Sequence, residues 1–134
     1  MSKEFLDQYT VFVDGVTSAA SKDKDAFIAR INELYDSGCD VARLTTAAAG
    51  LSSEGGEFVE VVKKILFHGK PYTEENVFHL KRELGDVIWY WTNACKALGL
   101  DPYEVIMENI DKLKSRYPGG FSIDRSEKRA PGDI

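Results

Sequence analysis

Two acidic pairs stand at the same internal spacing in this 134-residue chain: Glu54 with Glu57, and Glu83 with Asp86. On a helix, residues three apart share a face, with Cβ atoms about 5–6 Å apart. Carboxylates held that close repel one another unless a cation neutralises them. Oxygen-only ligands favour Mg²⁺, with Mn²⁺ as a possible substitute, over zinc. No histidine stands at ligand spacing within the set, which argues against a di-iron site of the Glu-x-x-His kind. His79, four residues after Glu75, and His68 read as surface residues. The chemistry expected of four such carboxylates is the binding of a divalent cation.

Long helices must position these acids. Residues 3–20 and 24–36 are expected to be helical, with Gly38 as a stop. Asp40 precedes a long helix running to Phe67, and Thr73 starts a second that ends near Leu98-Gly99. Asp101-Pro102-Tyr103-Glu104 opens the last helix, which stops at Tyr117-Pro118-Gly119-Gly120, and the tail beyond reads as polar and irregular. On the first long helix Val41, Leu44, Ala48, Leu51, Phe58, Val62 and Ile65 define an apolar stripe. At about 100° per residue, Glu54 lies about 75° from its centre and Glu57 about 135°. On the second, Leu80, Leu84, Val87, Trp91, Ala94 and Leu98 form the stripe. Glu83 lies about 80° and Asp86 about 140° from its centre, on the same hand. An antiparallel hairpin then brings all four acids to one side. The fold expected is an all-α helical bundle with two long antiparallel metal-binding helices.

On the last helix Val105, Ile106, Ile110, Leu113 and Tyr117 face the core, while Asn109, Lys112 and Arg116 line one side. Such a stripe suits the outer phosphates of a polyphosphate. Arg125, Lys128 and Arg129 follow in the tail, either closing over a ligand or standing idle. Glu60 points about 165° from the apolar stripe and reads as a supporting or interface residue. Gly55, Gly56 and Gly85 flank the acids, where missing side chains would admit a ligand or a neighbouring helix. Trp89 and Tyr90 are assigned to core or dimer packing in preference to stacking on a base.

Composition narrows the possibilities. The net charge of −5 argues against a surface for nucleic-acid polymers. The most apolar stretch, Val87 to Leu100, is broken by Asn93 and Lys96 and is too short to span a bilayer. With no signal-like N-terminus, a cytoplasmic protein is expected. Cys39 and Cys95 form no CxxC pair, and Cys95 reads as a buried free thiol.

Glu54-Gly-Gly-Glu57-Phe-Val-Glu60 followed by Glu83-Leu-Gly-Asp86-Val resembles the ExxE-spacer-ExxD signature of the MazG-like, all-α NTP pyrophosphohydrolases. The run from Leu84 to Tyr90 resembles that family's second metal helix, and the stretch from Asn109 to Pro118 resembles the C-terminal helix of small stand-alone members. The similarity covers about residues 40–120 of a chain read as one domain. It implies Mg²⁺-dependent hydrolysis of a (d)NTP to the monophosphate and pyrophosphate, and a homodimer or dimer of dimers.

Glu54, Glu57, Glu83 and Asp86 are thus the expected metal ligands, with either Glu54 or Glu57 as the general base. Lys112, Arg116 and Asn109 are the expected substrate contacts, Asn109 the more loosely matched. Val59, Val61, Trp89 and Tyr90 are the expected dimer surface. Two other readings remain: a phosphoribosyl-ATP pyrophosphohydrolase, and a non-enzymatic helical module whose acids meet a basic partner.

Overall fold

A computed structural model of the chain describes residues 3–128. It is all-α: among the described residues no strand forms, and one isolated bridge joins Pro118 to Gly120. The chain divides into two compact units, the boundary falling between Val41 and Ala42.

The first unit holds α1 (Lys3–Val16), α2 (Ala19–Lys22) and α3 (Lys24–Asp36). The single helix expected over residues 3–20 is therefore broken. The Thr17 hydroxyl donates to the Val13 carbonyl at 2.7 Å, and Ser18 adopts an extended conformation (φ −62°, ψ 152°). Hydroxyls in such positions compete with the helical ladder. Lys22 then fastens α2 back to α1, reaching the Asp14 carbonyl at 2.6 Å and its carboxylate at 3.1 Å. The Asp23 side chain caps α3 through the Ala26 N–H at 2.8 Å. Gly38, as expected, ends α3: its φ of +86° lets the Cys39 N–H reach back to the Leu34 carbonyl at 2.9 Å.

The second unit carries α4 (Val41–Phe67), α5 (Glu74–Ala97), α6 (Pro102–Arg116) and α7 (Ile123–Glu127). Their ends follow the expected signals. Thr73 caps α5 through the Asn76 N–H, and Asp101 caps α6 through the Tyr103 N–H, with Pro102 in the first turn. The short α7 was not expected in the polar tail; Ser122 caps it.

α4 and α5 run antiparallel. Arg43 donates to Asn93 at 3.0 Å, Gly50 meets Tyr90, and Glu54 meets Glu83 and Asp86, so positions rise on one helix as they fall on the other. The expected stripes are half-buried except at Ala48, Leu84 and Leu98, which are exposed, Leu84 at 53% and Leu98 at 56%. The most buried residues flank them: Ala47, Gly50 and Val61 on α4, with Asn76, Glu83 and Cys95 on α5. A Cβ on Gly50 would stand 2.1 Å from the Tyr90 ring, so the helices approach closely where glycine leaves room. Buried Asn76 is satisfied within the unit, its amide donating to the Pro71 carbonyl at 2.7 Å. Cys95 is a buried free thiol, as expected, and Cys39 is also free.

A candidate metal centre beside an apolar cleft

The Gly50–Tyr90 contact sets the spacing of the hairpin one turn away from the acids. Glu54 follows Gly50 by four residues, and Asp86 precedes Tyr90 by four. There, one carboxylate oxygen each from Glu54, Glu83 and Asp86 lies within 4.8 Å of the others. The degree of burial follows the helical offsets: Glu83 is 8% exposed and Glu54 half-buried, while Asp86 and Glu57 are exposed. Glu57, the fourth expected ligand, stands outside this group of three.

The electrostatics reflect the crowding. Partial burial first, then the charges of Asp86, Glu83 and Glu57, and finally a hydrogen bond with Glu83 all push the Glu54 pKa above its ordinary value. Every contribution acts in one direction. The metal-free protein therefore holds a proton at Glu54 more tightly than an isolated glutamate would. A hard cation would replace that proton and offset the repulsion, and an all-oxygen donor set within this span fits Mg²⁺ or Mn²⁺.

His79 Nε2 lies 2.9 Å from Glu83 Oε1, one turn earlier on α5. The sequence reading missed this contact, having measured His79 from Glu75; the spacing of four to Glu83 was the available signal. Glu60 is neutralised on its own helix. It pairs with Lys63 and, at 3.1 Å, with Lys64, and these contacts lower its pKa. Among the described residues nothing stands within 4 Å of where a Cβ on Gly55, Gly56 or Gly85 would be, so no described helix approaches them closely. The glycine that matters for close approach is Gly50.

Beside the acids, α4, α5 and α6 enclose an open cleft of about 630 Å³. Leu51, Val87, Ile88, Trp91 and Val105 give it apolar walls, and Glu108, Asn109 and Lys112 give it polar ones. Leu51 is one turn from Glu54, and Val87 adjoins Asp86. Arg116 does not line this cleft: it is half-buried, its guanidinium 6.0 Å from the Tyr117 ring. The tail cations are engaged locally, Arg125 with the Arg116 carbonyl at 3.3 Å and Lys128 with Asp124 at 2.8 Å. Arg129 lies outside the described residues. Of the expected dimer surface, Val61 is only 5% exposed and Tyr90 packs over Gly50, so both belong to the hairpin; Val59 and Trp89 do face outward.

Among the described residues, no helix is long and apolar enough to cross a membrane. The chain is similar to the Gene 37 protein of Mycobacterium phage L5, with 38% identity over 93 residues, covering 68% of this chain and 82% of that protein. No solved structure matches it significantly. The model of the MazG nucleotide pyrophosphohydrolase domain matches residues 43–121, a span that begins near the start of α4, ends just beyond α6, and contains the acids, the cleft and Lys112. The chain belongs to the MazG nucleotide pyrophosphohydrolase family.

Proposed function

We propose that the protein hydrolyses a (d)NTP to the nucleoside monophosphate and pyrophosphate, with Mg²⁺ held by Glu54, Glu83 and Asp86. The observation that carries this reading is the convergence of three carboxylates on a hairpin that also lines a cleft bearing Lys112 and Asn109. A divalent ion bound at the acids polarises phosphate oxygens and lowers the pKa of a bound water. Glu57, exposed and close enough to act on Glu54, completes the site as a further ligand or as the base that takes the water's proton. Glu54 is the other candidate base. Lys112 neutralises the outer phosphates as they leave and Asn109 donates hydrogen bonds to them, while Arg116, one turn further along α6 and outside the cleft, adds positive charge to that side. The chain contains no GxxxxGK[ST] loop of the kind that cradles phosphates for terminal transfer. Attack at the α phosphorus is the reaction that fits this arrangement.

The active form is proposed to be a homodimer or a dimer of dimers in the cytoplasm. Val59, Leu84 and Trp89 are all more than half exposed, apolar surface that a second copy would cover. Light scattering at micromolar concentration should find no monomer.

The test is a panel of (d)NTPs and phosphoribosyl-ATP assayed with Mg²⁺ in ¹⁸O-labelled water. Pyrophosphate should appear in equal amount with a monophosphate carrying the label. Diphosphate and free phosphate as primary products would sink the mechanism. Turnover of phosphoribosyl-ATP alone would reassign the substrate.

A further inference from the structure

Glu83 differs from the other acids of the site. It is the most buried of them, with its side chain 10% exposed, and it touches partners on both helices. One of its carboxylate oxygens lies within 4.8 Å of oxygens of Glu54 and Asp86, and it accepts from His79 Nε2 at 2.9 Å along its own helix. Among the described residues, His79 is the one nitrogen donor in hydrogen-bonding contact with the three converging acids. A buried glutamate has several rotamers to choose from, and repulsion from Glu54 and Asp86 favours those that turn it away. An N–H fixed one turn earlier opposes that. It holds Oε1 and so restricts the rotamers open to the Glu83 carboxylate.

We propose that His79 is a positioning residue: its Nε2–H orients Glu83 so that the three carboxylates are arranged for a divalent ion before one arrives. The proposal rests on the metal-site reading above. It does not require the imidazole to be charged, since the neutral ring protonated at Nε2 makes the same bond. An ordinary surface pair at this spacing would contribute little. Here the acceptor is a buried ligand, and removing such an outer partner of a ligand costs roughly 10- to 100-fold in metal affinity.

The experiment is Mn²⁺ binding followed by electron paramagnetic resonance on the full chain, for the wild type and for H79A, H79Q and H79N. Glutamine carries an amide nitrogen about where Nε2 stands, whereas asparagine falls short. H79A and H79N should weaken Mn²⁺ binding by about 10-fold or more, and H79Q should stay within about 3-fold of wild type. Circular dichroism should show native helix content in all three, because His79 is exposed and alanine favours helix. Wild-type affinity in H79A would overturn the proposal, as would H79Q binding no better than H79A. Loss of Mn²⁺ binding accompanied by loss of helix content in every variant would also overturn it, by showing a structural role. A wild type that binds no Mn²⁺ would instead refute the metal site itself.

Discussion

Replacing Gly50 with alanine tests whether the hairpin is held by the close approach that sets the acids' spacing. The new Cβ would meet Tyr90 at 2.1 Å from Cδ1 and Cε1 and 2.4 Å from Cγ, well inside van der Waals contact. The ring cannot swing away cheaply: it is half-buried and stands edge-on to Trp89, with centroids 4.7 Å apart and planes at 87°. Either the ring leaves its rotamer or the helices separate, and overpacking of this kind costs about 1–3 kcal/mol. Against that stands a gain of about 1 kcal/mol from removing a helical glycine. At Gly56 on the same helix only the gain applies, since nothing lies within 4 Å. G50A should therefore be less stable than G56A by about 1–3 kcal/mol, which at this chain length is about 4–12 °C in Tm. Both should be measured by thermal denaturation at one protein concentration, so that association does not bias the comparison. The double variant G50A/Y90A removes the clash and should be no less stable than Y90A alone. G50A should also weaken Mn²⁺ binding, because the overlap lies one turn from Glu54 and Asp86. If G50A matched G56A in stability, or if Y90A failed to suppress its effect, the close-approach account of the seam would be wrong.

Other perturbations read the site more directly. Asp86→Asn removes a ligand and the leading charge acting on Glu54, so turnover should fall at least about 100-fold while metal-free Tm rises slightly. Near-native activity in that variant, measured by pyrophosphate release, would refute the ligand assignment. Because the Glu54 pKa is raised above 4.5, the folded protein binds its proton more tightly than the unfolded chain does. This group's contribution to metal-free stability should thus be most favourable below that value and decline as pH rises from it through the folded pKa. Added Mg²⁺ should flatten the decline, and calorimetry in two buffers should detect proton release on metal binding. Glu60 has the opposite sign: its lowered pKa gives stability present above 4.5 that is lost as pH falls through the folded value. Glu60→Gln should leave kcat within about 3-fold, since its pairs with Lys63 and Lys64 are surface contacts of small energy.

The acids could be found in the sequence because their chemistry is unusual there: like charges at helical spacing, repeated on a second helix, need an explanation wherever they occur. The caps were equally legible, since Thr73, Asp101-Pro102 and Gly38 each do what their local chemistry dictates. The seam between α4 and α5 was legible only in part. A stripe drawn through the most apolar residues gives weight to Leu84 and Leu98 and none to Gly50, Asn76 or Glu83, yet the latter three are buried. Glycine contributes by what it lacks, and Asn76 is buried because the Pro71 carbonyl satisfies it. Neither property registers as hydrophobicity. The close approach at Gly50 sits beside Glu83, which is drawn inward, where repulsion from Glu54 and Asp86 is least screened and a cation would be held most strongly. A helix pair chosen for packing alone would fill that place with an apolar side chain. That α5 puts a carboxylate there fits a hairpin shaped to concentrate negative charge.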